Sequence, residues 1–116
     1  METIVKTPTG NSFITVDPSE FKEIISAPDI YLLDVRDKDS YNEGHIGGAH
    51  NLDVLQPTFK EDALKSLPKD KKIAVYCRSG KRSAMASEIL ADEGFKIINL
   101  VNGITGWQEA GYPVTK

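Results

Sequence analysis

The chain has one cysteine, Cys77, which opens the segment Cys77-Arg78-Ser79-Gly80-Lys81-Arg82-Ser83 directly after the apolar run Ile73-Ala74-Val75-Tyr76. Three cations, Arg78, Lys81 and Arg82, follow within five residues of it. Neighbouring Arg and Lys favour thiolate over thiol, and the thiolate is the nucleophile. A helix-like stretch begins straight afterwards, so the loop lies where a strand ends and a helix starts. Backbone N–H groups at such a helix start stabilise negative charge. Gly80 admits backbone conformations that a side chain would block, so successive amides can turn inward as an anion nest. Ser79 and Ser83 add hydroxyl donors, and Ser83 has the chemistry of a helix N-cap. Lys81 and Arg82 supply longer-range positive potential. A pocket of this kind suits a cysteine thiolate, the terminal sulfur of a cysteine persulfide, or an oxyanion such as thiosulfate or phosphate. It points to covalent catalysis by a nucleophile activated by its surroundings rather than by an adjacent base.

The elements that must hold this loop are legible in outline. Residues 12–16 form a short strand. Asp17-Pro18 then pairs an N-cap with proline at the first helical position, ahead of a helix whose apolar face is Phe21, Ile24 and Ile25. Ile30-Tyr31-Leu32-Leu33 is a buried strand that ends in the polar Asp34-Val35-Arg36. The glycine-rich residues 37–50 hold a short helix and a turn, with a short strand near 49–52. A helix is expected over 58–67, stopped by Pro68, and strands over 72–76 and 97–100. The spacing of Ala84, Met85, Ile89 and Leu90 predicts a helix over 83–93, ended by Gly94. A last short helix over 103–110 carries Trp107, which reads as core. Strands alternating with helices imply an α/β fold, a parallel sheet covered on both faces. Ligands in such sheets bind at the carboxyl ends of the strands, where Cys77 stands.

Composition narrows the field. At 116 residues, 40% apolar and 27% charged, the chain is globular, and residues 1–116 read as one domain. A net charge of -3 argues against broad binding to nucleic acid or an anionic membrane. Only three arginines occur, Arg36, Arg78 and Arg82, and two lie in the cysteine loop, where a planar multi-donor cation is best used. A lone cysteine allows no internal disulfide and no Cys-x-x-Cys pair. The N-terminal Met1-Glu2-Thr3-Ile4-Val5-Lys6 lacks the apolar stretch of a secretory signal, so a reduced cytoplasmic protein is expected. His45 and His50 read as structural rather than metal-binding, because no further ligand stands at a metal-site spacing. No cofactor or metal is expected, and with no long exposed apolar stripe the expected state is a monomer.

The cysteine segment resembles the active-site loop of the rhodanese family, and so does much of the chain. Leu32-Leu33-Asp34-Val35-Arg36 followed by Tyr41-Asn42-Glu43-Gly44-His45-Ile46-Gly47-Gly48-Ala49-His50-Asn51-Leu52 is similar to the family's N-terminal signature. Leu100-Val101-Asn102-Gly103-Ile104-Thr105-Gly106-Trp107 with Gly111-Tyr112-Pro113-Val114 is similar to its C-terminal one. The likeness runs from about residue 12 to 114. It implies a three-layer α/β domain with a five-stranded parallel sheet, and sulfur transfer through a persulfide on Cys77. By position, the backbone from Arg78 through Ser79, Gly80 and Lys81 to Arg82 forms the cradle and Arg82 closes it. Asp34 and Arg36 brace the site from a neighbouring strand end, and Ser83 supports it. His50, Gly47 and Asn102 depart from residues common in the family.

The function expected from this resemblance is sulfurtransferase. Cys77 takes a sulfane sulfur from thiosulfate or a low-molecular-weight persulfide and passes it to a thiol or protein cysteine, with Ser79 and the loop amides holding the persulfide. A non-catalytic or dedicated persulfide-carrier module that binds a sulfur-metabolism partner is the alternative. A small phosphatase is disfavoured, because its loop carries one residue more than the four between Cys77 and Arg82. It also needs a general acid, and none stands out in the sequence.

Overall fold

The computed structural model describes residues 2–116. Its elements run, in chain order, β1 (Thr3–Lys6), β2 (Ser12–Val16), α1 (Pro18–Ile25), β3 (Ile30–Asp34), α2 (Lys38–Glu43), β4 (His50–Asn51), α3 (Phe59–Ser66), β5 (Lys72–Tyr76), α4 (Lys81–Asp92), β6 (Ile97–Leu100) and α5 (Gly103–Glu109). The strands form one sheet in the order β1-β2-β6-β5-β3-β4. Five of them pair in parallel, as expected, and β1 joins the edge antiparallel to β2, with Ile4 opposite Ile14. The sheet is therefore mixed and six-stranded rather than purely parallel and five-stranded. Thr3-Ile4-Val5-Lys6 has strand composition, and the turn residues Pro8 and Gly10 return it along β2.

Alternation along the central strand β5 divides the interior in two. Ile73 and Val75 face a cluster with Phe59 and Ala63 of α3 and Ala86 and Leu90 of α4. Ala74 and Tyr76 face Phe21 of α1 and Ile104 and Trp107 of α5. Both faces of the parallel core are thus covered, which explains why its strands read as unbroken apolar runs. Phe21, fully buried, meets Trp107 edge to face with ring centroids 6.2 Å apart, and burying such a ring contributes on the order of 2–3 kcal/mol. Local signals set the start of α1: the Asp17 side chain accepts from Glu20 N–H at 2.9 Å, and Pro18 opens the helix.

The start of α4 differs from expectation. It begins at Lys81, not Ser83, and its N-cap is Gly80 in the left-handed region at φ 100°. Ser83 lies inside the first turn, fully buried. Cations in a helix's first turn oppose its dipole, which is why a reading by propensity moves the start past Lys81 and Arg82.

The turn between β1 and β2 is fastened to the far end of α4. Oδ1 of Asp92 accepts from Thr7 Oγ1 at 2.6 Å, from Thr9 Oγ1, and from Asn11 Nδ2 at 3.3 Å. The Thr7 hydroxyl first, then that of Thr9, hold the Asp92 carboxyl below the ordinary aspartate value. A group whose pKa falls on folding stabilises the fold above its unfolded value and loses that contribution as pH drops through the folded one. Asp92→Ala is therefore expected to melt below wild type at pH 7, with the gap closing as the pH falls beneath 3.8. Thermal melts of both proteins from pH 7 to pH 2 check this, and a gap independent of pH would show that the carboxylate charge is not what fastens the turn.

Candidate active site

Cys77 is the residue after β5, and the alternation of that strand turns its side chain onto the α4 face, with Ile73 and Val75. Its sulfur is 2% exposed yet lies against polar groups. Gly80 N–H donates to Sγ at 3.1 Å. The Cys77 thiol donates to Ser83 Oγ at 3.4 Å, and Ser83 in turn donates to Gly80 O at 3.2 Å. With the sulfur ionised, the same hydroxyl can rotate and donate to it, because Gly80 O also accepts from Ala84 N–H at 3.1 Å. The N–H groups of Arg78, Ser79, Lys81 and Arg82 donate to no acceptor among the described residues. The sulfur thus accepts one amide at the positive end of α4, in a loop that holds several further unclaimed donors.

The carbonyls of this loop point away from the sulfur, and α5 holds them there. Ile104 N–H donates to Cys77 O at 2.9 Å, and Thr105 N–H to Arg78 O at 3.1 Å. The contact leaves no room for a side chain at Gly103. A Cβ there would lie 2.4 Å from Cys77 O and 2.5 Å from Arg78 O, and its φ is +56°. Asn102, beside it, is also left-handed at φ 59°, a conformation Asn tolerates better than most residues. The departure from glycine at 102 thus leaves the turn intact.

Cys77 opens into a cavity of about 270 Å³ lined by Arg36, Asp37, Ser40, Arg78, Ser79, Lys81 and Arg82. The structure thus brings together the whole cysteine loop and Arg36. Ser79 and Arg82 are exposed on the cavity wall, and neither side chain is hydrogen-bonded to the sulfur. The hydroxyl that reaches Sγ belongs to Ser83. Asp34 does not line the cavity. It sits fully buried opposite Tyr76 in the β3–β5 register, on the other face of the sheet.

Its carboxylate binds Arg36 through Nε at 3.1 Å and Nη2 at 2.7 Å, and also accepts Arg36 N–H at 2.9 Å. Arg36 Nη2 continues to Gly44 O at 2.6 Å. Burial alone would lower the Arg36 pKa, but its bonds to Asp34 outweigh that and raise it. Tyr76 is pushed far above the ordinary tyrosine value by burial first and by Asp34 second, so its hydroxyl stays neutral and accepts Ile46 N–H at 3.0 Å. His45 and His50 serve structure: His45 stacks on Tyr41 with Nδ1 2.9 Å from Tyr41 O, and His50 stacks on Tyr31.

Asp37 and Ser40 were not singled out in the sequence. Asp37 caps α2, accepting Ser40 N–H at 2.8 Å and the Ser40 hydroxyl at 3.2 Å. Those donors, the amide first, lower its carboxyl pKa. Arg78 Nη2 donates to Ser40 Oγ at 3.3 Å, tying the cysteine loop to α2. An Asp three residues before a Ser marks a helix start, but nothing local shows that this start faces Cys77.

Two substitutions test the framework. Gly103→Ala should destabilise the fold by about 2–4 kcal/mol through steric conflict and backbone strain. Arg36→Met leaves Asp34 buried without its counter-charge, for an expected loss of about 3–5 kcal/mol, partly recovered in Asp34→Asn/Arg36→Met. Denaturant titrations of the variants measure both. Wild-type stability in Gly103→Ala would show that the loop is not held against α5, and no recovery in the double variant would show that the ion pair is not the cause.

Comparison with known proteins agrees with this geometry. A family model for the rhodanese-like domain matches residues 17–110. A thiosulfate sulfurtransferase GlpE of Coxiella burnetii is 33% identical over 87 residues, covering 74% of this chain and 78% of that protein. A tRNA uridine(34) hydroxylase of Acinetobacter baumannii is 36% identical over 104 residues, covering 84% of this chain. The chain spans only about a third of that longer protein, 32% of its length. Among solved structures, a rhodanese-related protein from Thermoplasma volcanium superposes with a TM-score of 0.77 at 34% identity, covering 87% of this chain and 96% of that one. The shared sheet and the length of the matched region lead to one conclusion: this chain belongs to the rhodanese-like domain family.

Proposed function

We propose that the protein is a sulfurtransferase that carries sulfane sulfur as a persulfide on Cys77, with residues 12–114 acting as one catalytic unit. The observation that supports this most directly is the Gly80 N–H 3.1 Å from Sγ, in a loop whose amides at Arg78, Ser79, Lys81 and Arg82 are unclaimed among the described residues. In the first half-reaction the Cys77 thiolate attacks the outer sulfur of thiosulfate. The Cys77 S–S bond forms, the donor's S–S bond breaks, and its electron pair leaves on sulfite. Arg78, Lys81 and Arg82 on the cavity wall offset the charge of the donor, and the free amides receive the outer sulfur of the persulfide. In the second half-reaction a thiophilic acceptor takes that sulfur and returns Cys77 as thiolate, a two-step exchange on one nucleophile with ping-pong kinetics. With no second cysteine to resolve the persulfide, an external thiol, protein cysteine or cyanide must serve as acceptor.

Phosphoryl transfer fits the cavity poorly. Asp37 is the one carboxylate on its wall. With its pKa lowered by the Ser40 donors it is ionised at neutral pH, so it holds no proton for a departing oxygen.

The carrier reading draws on the hydroxylase of Acinetobacter baumannii, in which the matching stretch is 32% of a longer protein. It differs in rate: a carrier serves one protein client quickly and small acceptors slowly.

Intact mass of the reduced protein after exposure to thiosulfate, and separately to glutathione persulfide, tests the proposal. Wild type is expected to gain one sulfur that cyanide removes, and Cys77→Ser is expected to gain none and to lose at least about 10³-fold in turnover. Retained turnover in Cys77→Ser would overturn the proposal.

A further inference from the structure

A second cavity of about 180 Å³ adjoins the one at Cys77 and shares Arg36, Ser40 and Arg78 with it. Its other walls come from Glu43, Gly44, Ile104, Thr105, Gln108 and Val114. The two spaces meet at these three residues, of which the Arg78 side chain is exposed, its one side-chain hydrogen bond among the described residues being the 3.3 Å contact to Ser40 Oγ. Thiosulfate carries only negative charge and needs nothing beyond the first cavity. The second cavity is mixed in charge. Arg78 is cationic at its inner end, and Glu43 is a carboxylate that forms no ion pair among the described residues. Glu43 is the last residue of α2, where a negative charge lies against the negative end of the helix dipole. Neither packing nor capping accounts for a carboxylate there. Thr105 and Gln108 add neutral hydrogen-bonding groups. The walls thus offer one site for a cation and one for an anion, within a space of amino-acid size.

We propose that this second cavity is the binding site for the organic part of an α-amino-acid thiol persulfide, with its ammonium on Glu43 and its carboxylate on Arg78. The proposal rests on the sulfurtransferase reading and names the donor class for it. The Cys77 thiolate attacks the terminal sulfur of R–S–SH. The new S–S bond forms on Cys77, the donor's S–S bond breaks, and the electron pair leaves on R–S⁻, so no outside oxidant or reductant is needed. The departing thiolate arises at the neck between the two cavities, beside the Arg78 guanidinium, which offsets its charge.

Two measurements test this. The first is binding, by NMR chemical-shift titration, of S-methylcysteine and of its deaminated analogue S-methyl-3-mercaptopropionate, neither of which can react with Cys77. Wild type should prefer S-methylcysteine by roughly five- to tenfold, and Glu43→Gln should abolish that preference. The second is kinetic: Glu43→Gln should raise KM for cysteine persulfide by a similar factor with kcat unchanged, and leave KM for thiosulfate as it was or lower. Glu43 is exposed, so the variant should fold, which its melting curve verifies. No ammonium preference in wild type, or an equal KM change for both donors, would overturn the proposal. An ammonium preference that depends on Glu43, in a protein that no donor loads with sulfur, would keep the site and overturn the sulfurtransferase reading instead.

Discussion

Everything at this site depends on the direction in which a few peptide groups point. A peptide unit is rigid, so where its carbonyl faces one way its N–H faces the other. The carbonyls of Cys77 and Arg78 are held outward by the first amides of α5, at 2.9 and 3.1 Å. That anchoring turns the N–H groups of Arg78 and Ser79, which share those peptide units, the opposite way. It also requires that α5 approach closely, and Gly103, with no room for a Cβ, is the residue that permits it. The anion nest is therefore a product of two segments some twenty-five residues apart in the chain. Neither forms it alone.

The electrostatics of the site run against ordinary preference in a consistent way. Lys81 and Arg82 occupy the positive end of α4, and Glu43 the negative end of α2. Each placement is locally unfavourable, and each lines a cavity. Arg36, by contrast, is already neutralised by Asp34, with Nη2 at 2.7 Å. Its part is to fasten the end of β3 to Gly44, and so to tie down the C-terminal end of α2. The cavity cations thus divide into one that is structural and three that remain available, Arg78, Lys81 and Arg82.

The two faces of the sheet divide the labour. Cys77 looks toward α4, while Asp34 and Tyr76 lie on the face of α1 and α5. Asp34 consequently does not touch the Cys77 sulfur, and its carboxylate meets the cavity only through Arg36. Cysteine exposure of 2% fits a sulfur that is approached through the cavity rather than from open solvent.

Local chemistry alone determined much of this protein. The apolar runs, the Asp17-Pro18 helix start, the cysteine loop with its glycine and cations, and the α/β alternation are all written in adjacent residues. Propensity reasoning misplaced what depends on contacts at a distance. It began α4 two residues late, because cations in a first turn are disfavoured until Gly80 and the anion nest are considered together. It assigned no strand to residues 3–6, because an edge strand acquires its hydrogen bonds from its neighbour, here β2. It set the Ser79 hydroxyl beside the sulfur, because only the helical turn brings Ser83 within 3.4 Å. The cap of α2 was visible as a pattern, yet its place on the cavity wall was decided by the stacking of β3 beside β5. Identity and spacing set which groups could do chemistry; the packing of α5 and α2 against the end of the sheet decided where their donors point.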